Sequence, residues 1–234
     1  EAEPLKVDWS FKGITGKFDR ASLQRGFQVY KEVCSSCHSM QYLSYRNLGE
    51  PGGPEFSKQE VKAIAASVEI TDGPDDQGEM FTRPGRPADK FKNPYPNVKA
   101  SIAANGGAYP PDMSVLVKAR PGGSNYIYSV LVGYEDPPAG VTLDDGVYYN
   151  KYMIGNKIKR ASPLSDDIVE YSDGTQASVD QMAKDVTTFL SWAAEPELEE
   201  RHRTGVKVII YLVLLTTLVY LSMKKIWSRV DTEV

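Results

Sequence analysis

Two cysteines and a histidine lie close together near the start of the chain. Cys34, Cys37 and His38 form the pattern C-x-x-C-H, and the sequence contains no other cysteine. Two thiols at this spacing can form thioethers with the two vinyl groups of one porphyrin, and the neighbouring imidazole is then available as an axial ligand of the iron. The motif therefore predicts one covalently bound haem c, with His38 as its proximal ligand, and a role in redox chemistry.

Two other kinds of site also use paired cysteines. A structural zinc site needs four Cys or His ligands, and His202 is the only other histidine in the sequence. A dithiol redox motif is typical of a βαβ context with a helix starting at the first cysteine. Here the apolar pattern predicts a helix that ends at the motif, which favours haem attachment.

Two amphipathic helices are predicted to position this motif. Asp19 is the expected N-cap of the first, whose apolar positions recur at three- and four-residue steps up to Cys34. The second covers residues 179–194, ends before Pro196 and is expected to pack against the first. Weaker patterns indicate helices over residues 59–68 and 126–132. Segments rich in Pro and Gly predict loops over residues 51–54, 72–96 and 136–146.

The C-terminal region contains an apolar segment, residues 208–223, with no charged residue, Gly or Pro. Sixteen residues are slightly short of the roughly 20 that cross a bilayer. Residues 205–227 are long enough if Lys207 and Lys224 extend to the headgroups. We therefore expect a haem domain over residues 1–200 and a transmembrane anchor with a short inner tail over residues 201–234. A buried core helix is the alternative.

The charge of the chain is unevenly distributed. It has 27 basic and 31 acidic side chains in total, of which 21 and 29 lie in residues 1–200, a net charge of about -8 for that part. Such a surface argues against nucleic acid as a partner and favours a basic protein. Two acidic loops contribute to it; they contain Asp72, Asp75, Asp76, Glu79, Asp144 and Asp145.

Several segments resemble the cytochrome c1 family of the cytochrome bc1 complex, with alphaproteobacterial members the most similar. They are residues 25–40, 45–48, 83–89, 104–114, 148–150, 171–175 and 189–196. The resemblance implies a mainly α fold, with a class I cytochrome c-like haem domain that has long loop insertions, plus one C-terminal transmembrane helix. It also implies an electron-transfer subunit without catalytic residues of its own, which takes one electron from a Rieske iron–sulfur protein and passes it to soluble cytochrome c.

The resemblance further implies the surroundings of the protein. Cytochrome b, the Rieske protein, soluble cytochrome c and membrane lipid are the expected partners, within a dimeric complex. Because c-type haem is attached on the outer side of energy-transducing membranes, the haem domain is expected on the periplasmic side of a bacterial inner membrane. The basic residues flanking the apolar segment do not decide this orientation, since three lie on each side.

Four further residues are assigned to the haem site by resemblance alone. Pro110 and Pro111 are expected to form a rigid apolar wall along the haem. Arg120 matches a propionate-binding arginine, whose guanidinium suits a carboxylate bidentately. Tyr126 matches another position in the haem pocket. A solvated arginine and a core tyrosine are the alternatives for Arg120 and Tyr126.

The chain departs from the family at the distal iron ligand. In residues 155–164 the position of the family's methionine is occupied by Arg160, and a guanidinium has no free lone pair for iron. Three possibilities remain: another methionine, a lysine, or no protein ligand. Met153 is the preferred residue, ahead of Met113, Lys157 and Lys159. An open distal site beside Arg160 would instead favour a haem sensor or a peroxidase-like protein.

Overall fold

The computed structural model describes residues 2–230, in which α-helices predominate. The helices are α1 (Arg20–Val29), α2 (Lys58–Ala66), α3 (Val98–Ala104), α4 (Gly123–Val132), α5 (Val179–Ala194) and α6 (Leu198–Val230). Two antiparallel hairpins pair β1 (Glu69–Asp72) with β2 (Phe81–Pro84) and β3 (Tyr148–Tyr149) with β4 (Lys157–Ile158). Short 3₁₀ turns cover Tyr45–Gly49 and Ile154–Asn156.

Helices α1 and α5 form the centre of the domain, as predicted. The Asp19 side chain accepts a hydrogen bond from the Ser22 amide and caps α1. At Gly26 the two helices approach each other at backbone distance, since a Cβ placed there would lie 2.1 Å from the Asp185 carbonyl oxygen. The predicted range of α5 is confirmed, and its last turn is followed by Glu195 and Pro196.

The core beside these helices is aromatic. The Phe189 ring lies 5.7 Å from Phe27, 5.8 Å from Tyr30 and 5.6 Å from Trp192, measured between ring centroids. The Phe91 ring also belongs to this cluster, with its centroid 6.0 Å from that of Tyr30. Because Tyr30 begins the turn that leads to Cys34, this packing fixes the position of the C-x-x-C-H motif.

A buried ion pair also joins α1 to α5. Arg25 donates from Nε to Asp185 at 2.8 Å and from Nη2 at 3.1 Å, and the carboxylate also accepts from the Ser22 hydroxyl at 2.7 Å. The Asp185 side chain is 1% exposed and that of Arg25 is 16% exposed. The carboxylate is therefore buried with its charge paired and its oxygens hydrogen-bonded.

The prediction of an uninterrupted loop over residues 72–96 is wrong, because β2 lies inside it. Arg83 joins this hairpin to the domain through Asp72 at 2.5 Å and through a bidentate contact with Asp89 at 2.7 and 2.9 Å. These ion pairs, rather than an apolar alternation, accompany the pairing of the two strands. Helix α3, which the sequence analysis did not predict, is capped by the Asn97 side chain. The weaker helices at 59–68 and 126–132 correspond to α2 and α4.

Helix α6 is 33 residues long, which corresponds to roughly 50 Å at 1.5 Å per residue. Its apolar segment is exposed throughout, which does not fit a buried core helix. The structure confirms a C-terminal helix long and apolar enough to cross a membrane. Its first turn is joined to the segment before α1, because Glu199 accepts from Arg20 at 2.7 and 2.9 Å and from the Phe18 amide at 2.9 Å. The end of the predicted inner tail, residues 231–234, lies outside the described residues.

Candidate haem site

The C-x-x-C-H motif follows α1 through one π-helical turn, Tyr30–Cys34. The amides of Cys37 and His38 donate to the Cys34 carbonyl oxygen at 3.2 and 2.9 Å. In this tight turn Cys34 is buried and Cys37 is half-buried. The motif residues therefore lie together at the end of a helix, as the sequence analysis predicts.

The environment of Cys34 does not suit thiolate chemistry. Burial raises the pKa of the Cys34 thiol to about 12, the positive charge of Arg160 opposes the shift, and Cys37 adds to it. Reactive and metal-binding cysteines need a lowered pKa, because the thiolate is the nucleophile and the ligand. Within residues 2–230 no group of three or more His, Cys, Asp or Glu side chains could hold a bare metal ion. Both observations weaken the dithiol and zinc alternatives.

His38 is oriented by the backbone of Pro111. Its Nδ1 lies 2.8 Å from the Pro111 carbonyl oxygen, which can only accept, so Nδ1 carries the proton. Burial lowers the pKa of His38, the Pro111 carbonyl raises it and the charge of Arg160 lowers it, with a net decrease. The imidazole is therefore neutral at neutral pH, and its Nε2 lone pair is available to a metal.

The segment that carries Pro110 and Pro111 is fixed by Asp112, whose role the sequence analysis missed. Its carboxylate accepts from the Ser39 hydroxyl at 2.7 Å, the Gln41 amide at 3.0 Å and the Ser114 amide at 2.8 Å. Burial raises the pKa of Asp112, but the hydrogen bonds outweigh it and the pKa is lowered overall. The only sequence signal for this residue was its place directly after the Pro-Pro pair.

A cavity of about 190 Å³ opens beside Cys37 and Pro110. Asn97, Ser101 and Tyr109 also line it. The two thiols and an imidazole with Nε2 available fit a covalently attached haem, in keeping with the chemistry of the motif.

Arg120 and Tyr126 are not in contact with the C-x-x-C-H motif in the structure. Arg120 is half-buried and donates from Nη1 to the Ala119 carbonyl oxygen at 3.0 Å. Among residues 2–230 no carboxylate forms an ion pair with it, so its remaining donors suit a propionate. The Tyr126 hydroxyl instead donates to the Met153 sulfur at 3.3 Å. Their contacts with haem stay predictions.

Met153 and Arg160 are positioned by the β3–β4 hairpin. Asn150, which is fully buried, accepts at Oδ1 from the Tyr152 and Met153 amides, both at 3.1 Å, and donates to the Val130 carbonyl oxygen of α4 at 2.8 Å. Arg160 follows two residues after β4, and its charge acts on both Cys34 and His38. The segment after the hairpin therefore passes near the haem motif.

The chain is similar to known proteins over nearly its whole length. The chain matches the family model described as the Cytochrome C1 family over residues 9–230. It is 48% identical to cytochrome c1 of Rhodospirillum rubrum, over 96% of this chain and 88% of that protein. It is 50% identical to cytochrome b/c1 of Bradyrhizobium diazoefficiens over 97% of the chain, which spans only 36% of that longer relative.

A third relative is mitochondrial. The cytochrome b-c1 complex catalytic subunit of Candida albicans is 50% identical, over 97% of this chain and 76% of that protein. The predicted fold, a mainly helical haem domain with long loops and one C-terminal apolar helix, is confirmed by these matches and by the structure. The chain belongs to the cytochrome C1 family.

Proposed function

We propose that this chain is the membrane-anchored electron carrier of a quinol–cytochrome c reductase. It takes one electron from a Rieske iron–sulfur protein and passes it to soluble cytochrome c. The observation that carries the proposal is the contact between His38 Nδ1 and the Pro111 carbonyl oxygen beside Cys34 and Cys37, in a chain of the cytochrome C1 family. It provides an imidazole donor next to two thiols at the spacing that attaches haem.

Several residues of the chain hold the cofactor, each at a different part of it. Cys34 and Cys37 bind one haem c through thioethers, and His38 supplies the proximal nitrogen. When bound, the haem supplies reversible one-electron chemistry. Pro110 and Pro111 form an apolar wall that excludes water, and Arg120 pairs with a propionate. Tyr126 lies at the edge of the pocket.

The assembly follows from the same proposal. The relatives from Bradyrhizobium diazoefficiens and Candida albicans are named as cytochrome b/c1 and as a subunit of the cytochrome b-c1 complex. These names support cytochrome b and the Rieske protein as partners, in a dimeric complex. Helix α6 then spans the bacterial inner membrane, in contact with lipid, with the haem domain on the periplasmic side.

The acidic loops provide the steering surface for a basic cytochrome c. Asp75, Asp76 and Glu79 are exposed, as are Asp144 and Asp145. Asp72 contributes less than the sequence suggests, because Arg83 pairs with it. The field of the whole domain, with its excess of acidic groups, raises the rate at which a basic partner meets it.

Rapid mixing of the reduced complex with a basic cytochrome c tests the proposal. We expect oxidation of the chain's haem in step with reduction of cytochrome c, at a rate that falls as salt shortens the Debye length below about 10 Å. Lack of electron transfer at any ionic strength would exclude the carrier function. A fast rate that salt does not change would exclude the acidic steering alone.

A further inference from the structure

The segment before α1 forms a closed loop over residues 11–18. Its two ends are buried aromatic residues, and the ring centroids of Phe11 and Phe18 lie 4.9 Å apart. The Gly16 amide donates to the Gly13 carbonyl oxygen at 3.3 Å, which closes the turn at the tip. The loop therefore projects from the domain while both of its ends are fixed in the core.

The tip of this loop exposes an apolar side chain. Ile14 lies within the closing turn and is 75% exposed, more than any other large hydrophobic side chain of residues 2–230. Lys12 and Lys17, on either side of it, are also exposed. A single exposed hydrophobic residue is normal on a protein surface. The position of this one relative to α6 is the observation that gives it a meaning.

The loop lies against the start of α6. The Gly16 carbonyl oxygen is 3.3 Å from Nδ1 of His202. The segment long enough to cross a bilayer begins at residue 205, three residues after His202, which corresponds to roughly 4.5 Å of helix. The headgroup layer of a bilayer is roughly 5–7 Å thick on each side. With α6 across the membrane, Gly16 is therefore at the level of the headgroups, and Ile14 is two residues away along the chain.

The charge of the loop suits anionic headgroups. Residues 12–17 contain two lysines and no acidic residue. The acidic residues in the first turn of α6 already have cationic partners, since Glu199 pairs with Arg20 and Glu200 pairs with Arg203. The two lysines of the loop are therefore not required to neutralise these carboxylates. Lysine can also bury its methylene groups at such a boundary while its ammonium stays among the headgroups.

We propose that residues 12–17 form a second membrane contact, in which Ile14 enters the outer edge of the bilayer and Lys12 and Lys17 bind the phosphate groups of anionic phospholipids. The inference rests on the proposed function, because it requires α6 to span the membrane. An apolar side chain between basic residues is the combination that binds the interface of an anionic bilayer. A haem domain held by this loop as well as by α6 has less freedom to tilt about the start of the helix.

Hydrogen–deuterium exchange of the full-length haem protein in lipid nanodiscs tests the inference. Among residues 2–230 the Ile14 and Thr15 amides have no backbone hydrogen-bond partner, so contact with lipid should slow their exchange. One set of nanodiscs contains phosphatidylcholine alone, and the other also contains phosphatidylglycerol. Exchange in residues 12–17 should be at least about fivefold slower with the anionic lipid, which is the effect of one lysine beside an anionic surface.

Two variants separate the contributions of the loop. Ile14→Ser removes the apolar side chain and should speed exchange of residues 12–17 in both lipids. The double variant Lys12→Gln with Lys17→Gln should remove the difference between the two lipids.

Ile168→Ser is the matched control for Ile14→Ser. Ile168 is 47% exposed. The hydrogen bond from the Asp167 amide to the Ala177 carbonyl oxygen, at 2.9 Å, places it beside the start of α5, the helix end opposite to the one that leads into α6. The control should leave the exchange of residues 12–17 unchanged. Equal effects of both serine variants would mean that Ile14→Ser loosens the whole domain, which would overturn the apolar contact.

The remaining outcomes are distinguishable from a failure of the proposed function. Equal exchange of the loop in both lipids would overturn the inference while leaving haem attachment and electron transfer untouched. Protection that appears only in the assembled complex, whatever the lipid, would assign the loop to a neighbouring subunit and would also overturn it. A chain that does not enter the nanodiscs at all would overturn both the inference and the membrane anchor of the proposed function.

Discussion

The His38 side of the site rests on packed helices, whereas the Met153 side rests on a short hairpin. His38 follows α1, which α5 and an aromatic cluster hold in place, and Pro111 fixes its ring. Met153 lies in a loop held by Asn150 and by one contact with Tyr126. The position of His38 is therefore determined by the whole core. The position of Met153 depends on a few polar contacts, so this segment can shift without a change of fold.

The largest effect on stability is expected on the helical side. Arg25→Ala leaves the buried carboxylate of Asp185 without its positively charged partner, so the free energy of unfolding should fall by about 3–5 kcal/mol. Denaturant unfolding of the solubilised chain measures it. Lys184→Ala, which removes an exposed pair with Asp180 on the same helix, is the control and should cost at most about 0.5 kcal/mol. A loss below about 1 kcal/mol for Arg25→Ala would mean that the buried pair does not hold α1 to α5.

A smaller loss of stability is expected on the hairpin side. Asn150→Ala leaves the Met153 and Tyr152 amides and the Val130 carbonyl without their partner, which costs about 1–3 kcal/mol. Denaturant unfolding of both variants measures the two losses, and that of Asn150→Ala should be smaller than that of Arg25→Ala. A loss as large as that of Arg25→Ala would show that the hairpin is held as firmly as the helical core.

The smallest effect concerns acid stability near the helical side, where Asp89 and Arg83 hold the β1–β2 hairpin. Hydrogen bonds from Arg83 lower the pKa of Asp89 to about 2, below its ordinary value near 4. Its stabilising contribution is therefore complete above pH 4 and is lost as the pH falls towards 2. Asp89→Asn should reduce the difference in unfolding free energy between pH 7 and pH 3. Asp76→Asn is the control, because Asp76 is an exposed carboxylate of the same hairpin region. This variant should leave the difference in unfolding free energy between pH 7 and pH 3 unchanged.

The predictable parts of the molecule are those with local signals. Helix α5 could be predicted to the residue, because apolar positions recur along it and Pro196 follows. The spacing of the C-x-x-C-H motif by itself indicates haem attachment. The β1–β2 hairpin was missed because both of its strands are largely exposed, so neither carries a clear alternation of apolar residues.

The supporting polar residues were also missed. The Asn150 side chain donates a hydrogen bond to the carbonyl oxygen of Val130, 20 residues away. The Asp112 carboxylate accepts one from the hydroxyl of Ser39, 73 residues away. Neither residue belongs to a periodic pattern. Their roles depend on distances that only the folded chain defines, and this is why the haem-bearing motif could be found from the sequence but its supports could not.

Extraction of the purified protein with acid acetone, followed by mass spectrometry, tests the central claim most directly. Haem held only by axial ligands is released by this treatment, whereas haem joined through the thioethers of Cys34 and Cys37 stays with the chain. We expect the intact chain to carry the mass of one haem after extraction. Haem in the solvent, with the chain at its apoprotein mass, would contradict covalent attachment and with it the electron-carrier function proposed for this chain.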